Sequence, residues 1–338
     1  MPRFCKPAVH RRVAGLLVLT GLVLGCSPRT LDAAPPTIQP AQPAGSPPVS
    51  AAPAGAVRAL DGRPRAAIFD ARTGALVLLG TESVTLLGAG QAPPRVIALP
   101  GPASALTGDG AGNAYLSTRG GYFVVDLSTG HVARVDIGDA RDIEFTAIAR
   151  RADHKLVLGT ADGAVYTLSS ETATANRSNI LGRIDSLVAQ GNTVVALDRG
   201  QTTVTTVDAD GTVGQALRAG QGATTMAADP LGRVLVTDTR GGQLLVYGVD
   251  PLILRQAYPV KQSPYGVAGS RGLAWVSQTA ANLVIGYDLS TGIPVEKVRY
   301  PTVRQPNTLA FDDTSGTLYV VSGSGAGVQV IEHAAGPR

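Results

Sequence analysis

The chain has 338 residues, of which 41 are glycine and 23 are proline, and only 16% of its residues are charged. Its net charge of +4 equals the four basic residues of an N-terminal stretch without acidic residues, so the rest of the chain is electrically balanced. A balanced chain lacks the basic surface of a nucleic-acid binder, and we expect no such partner. Short apolar runs between Gly- and Pro-bearing turns favour many short strands over helices.

Residues 1–25 have the layout of an export signal. Residues 1–12 are basic, and residues 13–25 (VAGLLVLTGLVLG) are apolar. This apolar run is too short to span a bilayer as a helix, which needs about 20 residues. The pattern therefore predicts a secretory signal peptide.

The end of this signal, residues 23–26 (VLGC), resembles a bacterial lipobox, in which the cysteine sulfur receives a diacylglycerol and the signal is cut before it. Cys5 lies within the signal, so Cys26 is the one cysteine expected in the mature chain and has no partner for an internal disulfide. The resemblance implies that acylated Cys26 anchors the protein in the lipid bilayer, at the outer face of the cytoplasmic membrane. An unanchored secreted protein is the alternative.

Residues 26–55 are dominated by proline. Eight prolines and almost no large apolar side chains fall in residues 27–55, a composition that cannot bury enough surface to fold. Proline favours an extended chain of about 3.1 Å per residue, which gives a reach on the order of 90 Å. We therefore expect residues 26–55 to be a flexible, disordered tether. Recognition of the prolines by a partner domain is a second reading.

Residues 56–334 repeat one pattern seven times: an apolar strand, a turn bearing Gly or Asp, and a run rich in Val, Leu and Tyr. Repeats of about 40 residues with strand signals are typical of β-propellers. Each repeat is long enough for four strands, here called A to D. The fold class that we predict is all-β, a seven-bladed propeller of four-stranded antiparallel blades. The anchor positions, spaced by 39 to 42 residues, are Ala67, Leu106, Ile148, Leu187, Met226, Val267 and Leu309.

The pentapeptide DLSTG occurs at residues 126–130 and again at residues 288–292, four repeats later. Asp and Ser side chains bond nearby backbone N–H groups, and glycine takes the positive φ of a tight reversal. We predict that both copies form C-to-D turns, in blades 2 and 6. Trp275 falls in strand B of blade 6, where we expect it in the core.

The last repeat offers strands A, B and C but no D strand of its own. Residues 57–60 lie before the first repeat and have the pattern of a D strand. An unpaired outer edge would expose a row of backbone donors and acceptors. We therefore predict that residues 57–60 pair with residues 328–331 and close the ring with one N-terminal and three C-terminal strands.

Residues 234–250 (VLVTDTRGGQLLVYGVD) and 318–332 (LYVVSGSGAGVQVIE) resemble the NHL/YVTN-type propeller repeats of secreted bacterial proteins. With its lipobox and proline-rich stretch, the chain resembles the uncharacterised propeller lipoproteins of mycobacteria and related actinobacteria. The resemblance covers about residues 56–333. It implies the fold, but not an activity, because propellers host unrelated functions.

The sequence offers no catalytic or metal-binding pattern. His131, His154 and His333 fall on three different blades without the spacing of a zinc site, and we expect no metal and no other cofactor. The repeats also resemble streptogramin lyases, which use His and Glu residues that face the channel. We place no histidine there, so that activity is not carried over and we expect a protein that is not an enzyme.

The candidate site is the end of the channel where the D-to-A and B-to-C loops converge, the usual binding face of propellers. Arginines, carboxylates and a tyrosine at such a mouth suit a polar pocket or a protein-contact patch, although solvated loop residues would look the same. The candidate residues are Arg141, Glu144, Arg183, Asp185, Tyr265, Arg304 and Asn307.

Three functions compete at this stage. The first is a non-enzymatic scaffold, expected as a monomer, that binds a protein or a cell-envelope component. The second is a binder of small molecules or glycans at the channel mouth. The third is a lactonase-like hydrolase, in which Glu144, Asp185 and Asn307 would supply oxygen ligands for Ca²⁺.

Overall fold

The computed structural model describes residues 1–2, 36–90, 92–180 and 182–336. Most of the predicted signal, and the predicted lipidation site Cys26, lie outside the described residues. Residues 36–336 belong to one compact unit, in which every described element of regular structure is a β-strand. The described part of the chain contains no helix with the length and apolarity needed to cross a membrane.

In chain order the strands are β1 (Ala56–Arg58), β2 (Ala66–Asp70), β3 (Ala75–Leu79), β4 (Ser83–Leu87), β5 (Arg95–Ala98), β6 (Leu106–Gly108), β7 (Asn113–Thr118), β8 (Gly121–Asp126), β9 (Val132–Asp136), β10 (Phe145–Arg150), β11 (Leu156–Thr160), β12 (Ala164–Leu168), β13 (Thr174–Asn179), β14 (Ser186–Gln190), β15 (Thr193–Asp198), β16 (Thr203–Val207), β17 (Val213–Arg218), β18 (Ala223–Ala228), β19 (Arg233–Asp238), β20 (Gln243–Val249), β21 (Leu252–Pro259), β22 (Pro264–Gly269), β23 (Ala274–Gln278), β24 (Leu283–Asp288), β25 (Val295–Pro301), β26 (Pro306–Asp312), β27 (Thr317–Ser322) and β28 (Val328–Ile331).

These strands form seven antiparallel sheets of four, arranged as the blades of a propeller. Blades 1 to 6 each take four consecutive strands, from β2–β5 to β22–β25, and blade 7 combines β26, β27 and β28 with β1. Strand A of every blade lines the central channel. The prediction of a seven-bladed propeller is confirmed.

Ring closure follows the predicted one-plus-three pattern. β1 pairs with β28 in antiparallel register, with Ala56 opposite Val330 and Arg58 opposite Val328. The strand ends two residues before the predicted Leu60, whose side chain instead packs against the apolar cluster between blades 7 and 1. Gln329, fully buried in β28, donates from Nε2 to Ala54 O at 2.7 Å. The closure is therefore fixed by both backbone pairing and a buried amide.

The core lies between blades. Strands B and C face a neighbouring blade on each side, so they are buried on both faces, as the all-buried β3 and β11 show. Trp275 is fully buried and stacks on Phe311 of blade 7, with ring centroids 5.5 Å apart. Its predicted core position is confirmed.

The two DLSTG copies form C-to-D turns, as predicted. In the first copy, Oδ1 of Asp126 accepts hydrogen bonds from Ser128 N at 2.9 Å and Thr129 N at 3.0 Å. In the second, Oδ1 of Asp288 accepts from Ser290 N at 2.9 Å. The closing glycines have φ of 79° and 80°. The hydrogen bond from the Ser128 hydroxyl, together with these backbone bonds, lowers the pKa of Asp126 to about 2.

The expectation of a free tether needs correction for residues 36–55. This stretch belongs to the same compact unit as the blades, and from Ile38 to Pro47 it is hydrogen-bonded to blades 4 to 7. Composition indicated disorder because the stretch has few large apolar side chains. Here the chain is held instead through its backbone polar groups, which composition does not report.

Candidate functional site

The central channel has a cavity volume of about 620 Å³. Its wall consists of strand A residues from all seven blades, most of them small or apolar, such as Ala67, Ala147 and Leu187. The end where the D-to-A and B-to-C loops meet is here called the D-to-A face. Arg65, Asp185 and Arg199 bring charge to the cavity at that end.

Asp185 is fully engaged in hydrogen bonds. Its Oδ1 lies 3.1 Å from Nε of Arg183, and its Oδ2 accepts from the backbone N–H of Arg199 at 2.8 Å. The carboxylate thus fastens the D-to-A loop of blade 4 to its own B-to-C loop.

Two other predicted residues, Tyr265 and Asn307, also line the channel at this end. The backbone O of Tyr265 accepts hydrogen bonds from the hydroxyls of Thr225 and Thr237, on strands A and B of blade 5. The Tyr265 backbone therefore joins blade 6 to blade 5, and its place at the mouth is fixed by this contact.

Arg141 and Glu144 lie on the same face but do not line the channel cavity. Their loop, which follows β9, is pinned to the B-to-C turn of blade 2, where Arg119 donates to Asp142 O at 3.1 Å and forms a backbone bridge with Glu144. Of the three residues predicted as calcium ligands, Asp185 and Asn307 line the cavity and Glu144 does not.

A second cluster on this face contacts the N-terminal chain. Residues 36–48, here called the docked segment, cross blades 4 to 7 without regular secondary structure. The segment first meets blade 4, where Ile38 N–H donates to Gly200 O at 2.8 Å. It then passes blade 5, where Arg240 donates to Gln39 O at 2.7 Å.

Over blades 6 and 7 the contacts become denser. Gln305 donates from Nε2 to Ala44 O at 2.9 Å and accepts at Oε1 from Ser46 N at 3.0 Å. Arg304, one of the predicted site residues, donates to Ser46 O at 3.2 Å. The Ser46 hydroxyl donates to Thr279 O at 2.7 Å. The face predicted to bind a ligand therefore holds a peptide stretch of the same chain.

Sequence reasoning missed the residues that hold this segment, which are Arg199, Arg240, Ser263, Asn282 and Gln305. Single polar residues on loops give no signal of their own. The backbone geometry of the structure does mark two of these residues. Ser263 and Gln305 have φ of 57° and 54°. Such values cost free energy for residues other than glycine and recur at ligand clamps.

Two buried carboxylates were also missed. Asp238, at the end of strand B in blade 5, accepts from the N–H groups of Gln221 at 2.9 Å, Gly222 at 2.8 Å and Gly241 at 2.9 Å. Asp198 has the same role in blade 4. Aligning the repeats would have found them, because VVALD and VLVTD end strand B at the same position.

The histidines lie where the sequence placed them. His131, His154 and His333 are exposed and do not line the channel. Within the described ranges, no three His, Cys, Asp or Glu side chains are grouped so that they could hold a metal ion.

No protein-family model matches the chain, and no curated protein matches it. The fold is similar to many solved structures. A streptogramin B lyase structure aligns with a TM-score of 0.66 at 9% identity, over 80% of this chain and 95% of that one. Hydrazine synthase of Kuenenia stuttgartiensis aligns with a TM-score of 0.65 at 14% identity, over 83% and 100%.

The structure of U3-55K aligns with a TM-score of 0.68 at 14% identity, over 83% of this chain and all of that chain. At these identities the similarity shows a seven-bladed propeller and nothing finer. The set includes both enzymes and proteins that are not enzymes.

Proposed function

We propose that the protein is a lipid-anchored binding scaffold without catalytic activity, held at the outer face of the cytoplasmic membrane. Its D-to-A face binds a protein or another component of the cell envelope. The observation that carries this proposal is the docked segment: in the structure this face already holds an extended stretch of polypeptide.

The chemistry of the face also supports binding. Arg199, Arg240, Arg304 and Gln305 point hydrogen-bond donors at carbonyl oxygens of the docked segment. Asp185, by contrast, is neutralised by Arg183 and held by a backbone N–H. Donors aimed at main-chain oxygens suit recognition of a peptide backbone.

Crosslinking in intact cells tests the binding function. Capture of the full chain from crosslinked envelopes should recover a specific partner, and the double variant Arg240→Ala/Arg304→Ala, which removes two donors from this face, should lose it. Arg271→Ala is the matched control, because Arg271 is exposed on the opposite face. If all three chains recover the same proteins, binding does not occur at the D-to-A face.

The anchor has its own test. We expect Cys26→Ala to move the protein from the membrane fraction to the soluble fraction of a cell lysate, since the mature chain would lose its acyl chains. Cys5→Ala, within the predicted signal, is the control and should leave the distribution unchanged. Unchanged partitioning of Cys26→Ala contradicts the lipoprotein proposal.

A second candidate is binding of a small anionic molecule or glycan at the channel mouth. The cavity of about 620 Å³ falls within the range of about 300–1,000 Å³ typical of ligand pockets. Arg65 and Arg199 supply positive charge there. A thermal-shift screen of anionic sugars would show stabilisation that Arg199→Ala removes. No shift with any compound would leave the channel as a structural feature.

A further inference from the structure

The docked segment is recognised mainly through its backbone. Gln305 bonds both Ala44 O and Ser46 N, and Ser263 Oγ accepts from Ala44 N at 3.1 Å. Backbone groups are the same in every sequence except at proline. The surface beneath the segment is here called the groove and includes Arg199, Arg240, Ser263, Asn282 and Gln305. Its contacts therefore select an extended main chain more than particular side chains.

Two positions of the segment are selective for side-chain size or type. Ala41 is 6% exposed and its Cβ packs over Gly222, where an added Cβ would lie only 3.0 Å away, so this burial leaves little room for a larger side chain at residue 41. Ser46 is 7% exposed, and its hydroxyl both donates to Thr279 O and accepts from Gln305 N at 2.8 Å. The groove therefore requires a small residue at one position and a serine five residues later.

The segment can leave without opening the ring. Within it, only Ala41 and Ser46 are buried, and the next four residues, 49–52, are exposed. Ring closure depends on β1, which begins at Ala56 after this exposed link. Few buried apolar contacts and an exposed hinge are features of the least stable part of a fold.

With the docked segment in place, a buried acceptor atom of the groove has no hydrogen-bond partner among the described residues. Asn282 donates from Nδ2 to Pro47 O at 2.9 Å, yet its Oδ1 has no hydrogen-bond partner among the described residues, although the side chain is 6% exposed. Proline has no N–H to offer, and an unpaired buried acceptor costs free energy.

From these contacts we infer that the groove beneath the docked segment is a peptide-binding site for a partner protein. The ligand is an extended segment without basic residues, with a small residue and a serine at the positions of Ala41 and Ser46, which takes the place of residues 36–48. The absence of basic residues follows from Arg199, Arg240 and Arg304, which line the groove beside an uncharged occupant. This inference deepens the proposed binding function and rests on it for the partner's location.

The test uses the full chain with residues 49–52 replaced by a protease recognition sequence. After folding and cleavage, the docked segment is no longer covalently attached. A fluorescent peptide of residues 36–48 is then added, and binding is followed by fluorescence anisotropy. We expect binding after cleavage and none before it, because the intact segment occupies the groove.

Matched variants assign the binding to this groove. Gln305→Ala removes two hydrogen bonds and should weaken peptide binding by about tenfold or more. Gln221→Ala, an exposed glutamine on the same face, should have no effect. In the peptide, Ser46→Ala should weaken binding, whereas a change of the exposed Gln42 to Ala should not.

Two results would overturn the inference. The cleaved protein could keep its original segment and exchange no peptide, which would make residues 36–48 a permanent part of the fold. Alternatively, Gln305→Ala and Gln221→Ala could bind the peptide equally, which would place it elsewhere. Neither result depends on an envelope partner, so failure of the crosslinking experiment alone would refute the proposed function and not the groove.

Discussion

The two halves of the D-to-A face are built differently. Over blades 4 to 7, loop side chains bond the docked segment, and Gln305 and Arg304 are examples. Over blades 1 to 3, loop side chains bond neighbouring loops, as Arg119 does at Asp142 O and Arg134 does at Arg119 O at 2.8 Å. Similar polar rims in the sequence therefore have different roles: over blades 4 to 7 the loops hold the docked segment as well as one another, whereas the contacts named over blades 1 to 3 join loop to loop.

Truncation gives the largest expected effect on this comparison. A chain that starts at Arg63 lacks both the docked segment and β1, so β28 loses its edge partner and the ring opens. We expect aggregation, or a fall in Tm of more than about 10 °C. A chain that starts at Gly55 keeps β1 and loses only the contacts of the preceding residues.

The Gly55 chain should therefore melt between the full chain and the Arg63 chain, since it also loses the bond from Gln329 to Ala54 O. Thermal melting of all three checks this order. Equal Tm values for the two truncated chains would contradict ring closure by β1.

The loop caps give the next largest effect. Asp238→Ala leaves three N–H groups, one buried and two part-buried, without their acceptor and should cost about 3 kcal/mol. Thr118→Ala, at the equivalent position in blade 2, removes one hydrogen bond to Pro102 O at 2.7 Å and should cost about 1 kcal/mol. Urea unfolding measures both free energies. Similar losses would mean that the two halves are fastened alike.

The fold could be predicted because its signals are local and repeated. Seven strand-and-turn patterns fix the blade count, and the DLSTG turns fix the strand order within a blade. Even the non-local pairing of β1 with β28 followed from the missing D strand of the last repeat.

The candidate site could be predicted only in part. Asp185, Tyr265 and Asn307 reach the channel from the start of strand A, a position that the repeat locates, whereas Glu144, next to the start of strand A in blade 3, does not. Gln305 and Asn282 instead form hydrogen bonds with residues more than 200 positions away in the chain. No periodicity connects such residues, and the composition of the docked segment indicated disorder.

The smallest expected effect lies on the opposite face, where the halves should behave alike. Hydrogen bonds from Ser128 and Thr129 hold the pKa of Asp126 at about 2, and bonds from Ser290 lower the pKa of Asp288. An unfolded aspartate has a pKa of about 3.9. Each carboxylate therefore stabilises the fold above about pH 4, and the contribution is lost as the pH falls towards 2.

Protonation of these two carboxylates is expected to lower Tm between pH 4 and pH 2. In the variants Asp126→Asn and Asp288→Asn that fall in Tm should be smaller, by similar small amounts because both sites are exposed to solvent. Asp61→Asn, an exposed residue outside these turns, serves as the control. A large effect from only one of the two would show that the asymmetry extends to both faces.

Hydrogen exchange on the intact chain tests the docked segment most directly. The amides of Ile38, Ala44 and Ser46 donate to the propeller, whereas residues 49–52 of the adjoining chain are exposed, which makes them an internal reference. We predict that the amides of Ile38, Ala44 and Ser46 exchange at least about tenfold more slowly than those of residues 49–52, as local opening that costs about 1.4 kcal/mol would require. Equally fast exchange in both stretches would show that residues 36–48 do not occupy the D-to-A face.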